Sequence, residues 1–147
     1  MADEESVVLV TGASGFIGAH VVNELLKKGI KTRAMLRDLS LKSIFEENEK
    51  LKIVYGDLFN VESLKKAIEG CDKVIHCAAN LPIGKLDPQK DVIDTSVIGV
   101  ENLCSVMGDV NTIIHTSSVA AIRPTKYENG KTYSIEDWCD DASLESN

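Results

Sequence analysis

The sequence predicts an α/β fold in which a doubly wound parallel sheet carries helices on both of its faces. Two observations predict it. Residues 7–11 form an apolar, largely β-branched run that passes through a glycine-rich turn into a helical pattern. From there to residue 116, short apolar runs alternate with helical patterns, which indicates βαβ units. Right-handed crossover connections then favour the strand order 3-2-1-4-5.

Turn and capping residues set the limits of the expected elements. Gly29 and Gly70 are typical of helix ends, and Asn60 is typical of a helix start. The expected strands span residues 7–11, 31–36, 51–55, 73–77 and 111–116. The expected helices span residues 16–28, 40–48, 61–69 and 88–107. We expect residues 1–118 to form one domain, and residues 119–147, which lack a clear period, to form a loop or partly ordered tail.

The turn after the first strand contains glycines at a spacing of three. Gly12 would let the chain turn sharply, Gly15 would admit a pyrophosphate to the backbone, and Gly18 would let the helix pack close to the strand. The free N–H groups of the following helix would face the phosphates. The alternative is a glycine turn without a ligand. The residues of this expected site are Gly12, Ser14, Gly15, Phe16, Ile17 and Gly18.

A basic residue follows the second strand, at the edge where ligands bind to parallel sheets. A carboxylate at this place would hydrogen-bond the ribose of NAD, whereas the guanidinium of Arg37 suits the 2′-phosphate of NADP. Lys42 would add a second charge. The sequence therefore favours NADP as the cofactor, with a solvated surface arginine as the alternative.

The third and fourth strands end in residues suited to an adenine ring and to a closely packed cofactor. Asp57 would accept a hydrogen bond from the adenine amino group and Leu58 would cover the ring, although Asp57 alone would also suit a helix cap. We expect His76 to be a packed strand residue. Small residues after it would let the cofactor lie against the backbone, and they are Cys77, Ala78 and Ala79.

These motifs resemble those of the short-chain dehydrogenase/reductase superfamily. Thr-Gly-x-x-Gly-x-x-Gly at residues 11–18 resembles its fingerprint, and Gly-Phe-Ile-Gly is similar to its extended branch. Leu-Arg-Asp at residues 36–38 is similar to the Val-Arg-Asp of plant dihydroflavonol and cinnamoyl-CoA reductases. The resemblance implies a Rossmann-type fold, hydride transfer between NADPH and a small carbonyl or alcohol substrate, and a homodimer as the assembly of a full-length protein.

The same resemblance extends to the end of the fifth strand. Thr-Ser-Ser at residues 116–118 looks like the family's catalytic serine segment. It implies that Ser118 is the catalytic residue that hydrogen-bonds the substrate oxygen, and that Thr116 contacts the cofactor. The alternative is that the hydroxyls cap a turn.

The resemblance also implies a helical Tyr-x-x-x-Lys in which the tyrosine is the general acid. Tyr127 and Lys131 have this spacing, but Asn-Gly at residues 129–130 indicates a turn between them. We interpret the pair as a coincidence and expect the true motif to follow Asn147. Residues 1–147 alone are then expected not to turn over a substrate.

Composition excludes several other classes of function. The net charge of −7 disfavours a nucleic-acid surface, and no apolar stretch is long enough to predict a membrane span. The four cysteines form no Cys-x-x-Cys pair, so reduced, mostly buried thiols in a cytoplasmic protein are expected rather than a metal site. Two alternatives stay open: an NAD-dependent relative of sugar-nucleotide epimerases and dehydratases, and a non-catalytic dinucleotide-binding regulatory module.

Overall fold

The computed structural model describes residues 6–79, 87, 92–122 and 130–138. The chain divides into two units, Met1–His115 and Thr116–Asn147. The sheet lies in the first unit. The second unit contributes a short 3₁₀ helix, Val119–Ile122, and a turn at residues 134–137 that is closed by a backbone hydrogen bond from Asp137 to Ser134.

Five strands form one parallel sheet. The order along the sheet is β3-β2-β1-β4-β5, and every neighbouring pair is parallel, which confirms the expected topology. Register places Leu9 of the central strand beside Arg33 on one side and Val74 on the other. The strands are β1 Val7–Thr11, β2 Lys31–Leu36, β3 Leu51–Tyr55, β4 Lys73–His76 and β5 Thr112–His115.

Within the described ranges, three α-helices pack on the sheet, and alternation along β1 separates two hydrophobic cores. Leu9 belongs to the core under α2 and α3, whereas Val8 and Val10 belong to the core under α1. Helices therefore cover both faces of the sheet, as the doubly wound fold requires. The helices are α1 Phe16–Lys27, α2 Val61–Ile68 and α3 Thr95–Ser105.

The prediction of an α-helix at residues 40–48 is wrong. In its place stands a 3₁₀ helix, Leu39–Ile44, whose first turn is capped by the Asp38 carboxylate, which accepts a hydrogen bond from the Ser40 N–H over 2.9 Å. Phe45 then turns to an extended conformation and packs in the core under α1. Burial of this aromatic ring ends the helical segment before it can continue.

The helix expected at residues 88–107 corresponds to α3, which follows directly on a π-helical turn at residues 92–94; residues 88–91 lie outside the described part of the chain. Its packed face also differs from the expected apolar stripe. Leu103 is fully buried, but Val97 is half exposed and Cys104 is exposed. Gly99 contacts the sheet side instead, because its missing Cβ leaves room for Leu58. The cysteines were expected to be mostly buried, but of the described ones only Cys71 is buried.

Gly18 lets α1 start close to the preceding turn. A Cβ on Gly18 would lie 2.8 Å from the carbonyl carbon of Gly12 and 2.9 Å from the Cα of Ala13. Both atoms are backbone, so no side-chain rotation could relieve the contact. The close approach predicted for Gly18 is present, but its partner is the turn rather than the strand.

Gly18→Ala is therefore expected to lower the free energy of unfolding by about 1–3 kcal/mol, because the overpacked turn must shift. Alanine in a helix interior otherwise stabilises by about 1 kcal/mol relative to glycine. Gly99→Ala on α3 is the matched control, since its Cβ would meet side-chain rather than backbone atoms, the nearest being Leu58 Cδ1 at 3.0 Å. Denaturant unfolding of both variants measures the difference between them. Equal free energies of unfolding for Gly18→Ala and Gly99→Ala would contradict the proposed backbone clash at Gly18.

Candidate functional site

A cleft of about 230 Å³ opens at the carboxyl ends of β1 to β4. It lies where the strand order reverses between β1 and β4, which is the place where parallel α/β sheets bind ligands. Most of its lining was expected from the sequence: Gly12, Ser14, Gly15, Arg37, Asp57, Leu58, Cys77, Ala78 and Ala79. The sequence reasoning missed three further lining residues: Met35, Gly56 and Phe59.

The floor of the cleft is formed where the glycine turn meets the end of β4. Gly12 has φ +63°, and a Cβ on it would lie 2.7 Å from both the N and the Cα of Ala78. Gly15 has an ordinary extended conformation, and its Cβ would approach only the Gly12 carbonyl oxygen, at 3.2 Å. The space in front of Gly15 is therefore open to the cleft.

The amino end of α1 adjoins this floor. Gly15 is the N-cap and brings no side-chain cap, and the first turn of α1 contains no acidic residue. The first N–H groups of an α-helix lack carbonyl partners within the helix, and they coincide with the positive end of its dipole. The cleft therefore has the features of an anion site of the kind that binds phosphates.

A buried hydrogen-bonded pair joins β1 to β4 beneath the cleft. Thr11 Oγ1 lies 2.7 Å from His76 Nδ1, and the same hydroxyl oxygen accepts a hydrogen bond from the Ala78 N–H over 3.3 Å. The pair fixes the backbone of Ala78 against Gly12.

His76 remains uncharged at neutral pH. Burial, and to a smaller extent the neighbouring His115, lower the pKa of His76 to about 4. The two rings stack with centroids 5.1 Å apart. The expectation that His76 is a packed strand residue agrees with its 2% exposure, but its polar contact with Thr11 was not foreseen. The two residues are 65 positions apart, and no local pattern in the sequence pairs them.

Arg37 lies exposed at the mouth of the cleft, directly after β2. The neighbouring Asp38 carboxylate is engaged in capping, and hydrogen bonds from Ser40 lower its pKa. Lys42 is exposed on the 3₁₀ helix but is absent from the described residues that line the cleft. Among the described lining residues the cationic side chain is therefore Arg37, and the role expected of Lys42 stays a prediction.

The segment Asp57–Phe59 forms the opposite wall. The Asp57 N–H donates to Ser63 Oγ over 3.0 Å, and the Phe59 N–H donates to Asp57 Oδ1 over 2.9 Å. Asn60 caps α2 by accepting a hydrogen bond from the Ser63 N–H. Asp57 is therefore not the N-cap of α2, because Asn60 occupies that position. Asp57 instead accepts a hydrogen bond within the loop that precedes the helix.

Met35 and Gly56 support this wall, and of the two only Gly56 carried a signal in the sequence. A Cβ on Gly56 would overlap the Met35 side chain, at 2.6 Å from its Cγ. Glycine at the end of a strand indicates close approach of another group. That signal was present in the sequence, but it does not say which residue approaches.

Several expected site residues lie away from the cleft lining. Phe16 and Ile17 are exposed and line a separate apolar groove along α1, and Gly18 is buried under the turn. Thr116 and Ser118 belong to the second unit and follow β5 in the chain. Their roles stay predictions.

Of the two residues with the Tyr-x-x-x-Lys spacing, Lys131 lies in the described part of the second unit. Lys131 Nζ lies 2.9 Å from Asp137 Oδ1, and the hydrogen bond from Lys131 lowers the pKa of Asp137. Gly130 has φ +84°, which a continuous α-helix does not contain. The turn predicted at residues 129–130 is thus observed at Gly130; Tyr127 lies outside the described residues.

Comparison with known proteins agrees with the fold and the cleft. Residues 8–138 match the sequence profile of the NAD dependent epimerase/dehydratase family. The chain belongs to this family. Dihydroflavonol 4-reductase from Zea mays is 34% identical over 95% of this chain and 42% of its own length. Cinnamoyl-CoA reductase 1 from Petunia hybrida is 33% identical over 79% of this chain and 36% of its own length.

A solved structure shows the same fold. Yeast methylglyoxal/isovaleraldehyde reductase Gre2, solved with NADPH, superposes with a TM-score of 0.81 at 27% identity, covering 95% of this chain and 45% of the yeast chain. The Rossmann-type fold is therefore confirmed. The chain spans less than half the length of each of these three relatives.

Two further surveys concern only the described residues. No group of three or more histidine, cysteine, aspartate or glutamate side chains among them is arranged to hold a metal ion. None of the helices in that part of the chain has the length and apolarity needed to cross a membrane.

The low pKa of His76 predicts a pH dependence of stability. Unfolded histidine titrates near pH 6.5, so the unfolded chain gains a proton below that pH while native His76 stays neutral to about pH 4. We expect the free energy of unfolding to fall by up to about 3 kcal/mol from this group as the pH falls through that window.

Denaturant unfolding between pH 4 and pH 7 measures this contribution, which His76→Asn should remove. His20→Asn, which makes the same substitution at an exposed histidine on α1, is the matched control. A parent and a His76→Asn variant with the same pH dependence would show that His76 titrates normally in the folded protein.

Proposed function

We propose that the cleft binds NADP(H) and that the protein containing these residues transfers a hydride between NADPH and a small carbonyl compound. The observation that carries the proposal is the position of Arg37 at the mouth of a cleft whose floor is the glycine turn. A guanidinium holds a phosphate bidentately, and Asp38, the neighbouring carboxylate, is engaged with Ser40.

Different residues of the cleft would contact different parts of the cofactor. The pyrophosphate would lie against Gly15 and the amino end of α1, where a Cβ would intrude and where no acidic side chain opposes it. The 2′-phosphate would bind Arg37, and the adenine would lie against Leu58 with its amino group donating to Asp57. Cys77, Ala78 and Ala79 would let the remaining half of the dinucleotide pass close to the end of β4.

The names of the relatives support a reductase. The maize and petunia relatives are reductases, and the yeast structure was solved with NADPH. When bound, NADPH supplies the hydride, and the protein must orient the carbonyl oxygen and provide a proton. Ser118 is our candidate for the orienting hydrogen bond, because it follows β5 within Thr-Ser-Ser. Since the chain spans less than half of its relatives, the reaction is a proposal for the whole protein.

We further propose that residues 1–147 bind the cofactor without reducing a substrate. The Gly130 conformation separates Lys131 from any helix that would carry Tyr127 one turn before it. Lys131 is moreover paired with Asp137. General acid–base assistance contributes about 10²–10⁴-fold to such reactions, so its absence would leave binding without measurable turnover.

The cofactor preference is tested at Arg37. NADPH should bind more tightly than NADH, and Arg37→Ala should lose about 1.5–3 kcal/mol of NADPH binding, or roughly tenfold to a hundredfold in affinity, while NADH binding changes little. Lys31→Ala removes the same charge from the opposite end of β2 and is the matched control. Calorimetric titration of both cofactors measures the ratio. Equal affinities in the parent would refute the assignment and favour an NAD-dependent relative.

The phosphate position is tested at Gly15. Gly15→Val should abolish binding of both cofactors, because the branched side chain fills the space in front of the turn. The fold should survive, since the backbone at Gly15 is extended and its Cβ meets one atom, at 3.2 Å. Asn23→Val, on the exposed side of α1, is the control for a β-branched residue in this segment. A Gly15→Val protein that is folded by circular dichroism and still binds NADPH would place the phosphates elsewhere.

A further inference from the structure

The wall Asp57–Phe59 is held from outside the cleft by α3. The side-chain amide of Asn102 donates a hydrogen bond to the Leu58 carbonyl over 2.9 Å. Gly99, one turn earlier on the same face of α3, lies so close that a Cβ on it would be 3.0 Å from Leu58 Cδ1. Neither residue lines the cleft. Helix α3 therefore contacts a cleft-lining residue without reaching the cleft itself.

The bond from Asn102 differs in kind from the other hydrogen bonds of this wall. Those from Asp57 to Ser63 and from Phe59 to Asp57 join residues at most six positions apart. They shape the loop relative to the start of α2, but they do not fix the loop relative to the rest of the domain. The Asn102 bond spans 44 residues and ties the wall to a separate helix.

Two side chains of the wall depend on this placement. The Asp57 carboxylate lines the cleft and already accepts one hydrogen bond from the Phe59 N–H, through Oδ1. Phe59 also lines the cleft and is half exposed. Leu58, between them, is buried in the core with Leu103 of α3. A shift of the Leu58 backbone would therefore move both neighbours.

We propose that Asn102 is a positioning residue for the adenine end of the cofactor. By holding the Leu58 carbonyl, it fixes the Asp57 carboxylate at the place where the adenine amino group donates. The inference rests on the proposed function, because adenine is the ligand of this wall only if the cleft binds the dinucleotide. It adds to that function a residue on α3 that contributes to base recognition without touching the base.

The test compares NADPH with nicotinamide hypoxanthine dinucleotide phosphate in its reduced form, in which a carbonyl oxygen replaces the adenine amino group. At position 6 a carboxylate accepts a hydrogen bond from the amino group of adenine, but it faces a carbonyl oxygen in the analogue, whose nearest donor is N1–H on the neighbouring ring atom. The parent should therefore bind NADPH about tenfold more tightly than the analogue. Asn102→Asp preserves size but replaces the donor with an acceptor facing the Leu58 carbonyl. We expect the ratio to fall to about one, through a loss of NADPH affinity of about tenfold.

The control is Asn23→Asp, the same chemical change on the exposed side of α1, which should leave the ratio unchanged. A residue with a merely structural role would weaken both ligands equally, so an unchanged ratio in folded Asn102→Asp overturns the inference. If that variant does not fold, Asn102→Ser decides by the same criterion. A parent that binds both ligands equally also overturns the inference. A parent that binds neither NADPH nor NADH refutes the proposed function instead.

Discussion

The cleft depends on the contact between the end of β1 and the end of β4. Gly12, in a left-handed conformation, places its backbone against Ala78, and the Thr11 hydroxyl joins the Ala78 N–H to the ring of His76. Gly18 then packs on Gly12, so α1 begins immediately beside the junction. The direction in which the first N–H groups of α1 point is thus fixed by backbone contacts rather than by side chains.

Few negative charges oppose an anion near this junction, and this matters as much as the positive charges that are present. The protein carries a net charge of −7, yet α1 has no acidic residue in its first turn, and the Asp38 carboxylate is engaged with Ser40. His76 is neutral, so it adds no positive charge beneath the cleft. The positive end of the α1 dipole and the Arg37 side chain at the mouth are the features that would favour an anion in the cleft.

The strands, their order and most of the cleft lining follow from the sequence, because β-branched runs, glycine turns and strand ends are local signals. The predictions that failed concern features that depend on contacts between residues far apart in the sequence. Burial of Phe45 ends the segment that was expected to be a longer helix, and contact with Leu58 selects Gly99 for the packed face of α3. The partners of Thr11 and Leu58 lie 65 and 44 residues away, beyond the reach of any periodicity.

The two tight glycines of the cleft differ in how their positions can change over evolution. At Gly12 an added side chain meets the backbone of Ala78, so no replacement elsewhere in the chain makes room for it. At Gly56 the neighbour is the side chain of Met35, and a shorter residue at position 35 would open the space. Substitution at Gly12 is therefore blocked by the backbone itself, whereas residues 35 and 56 could change together as a compensating pair, which leaves the wall of the cleft near β3 more open to change than its floor.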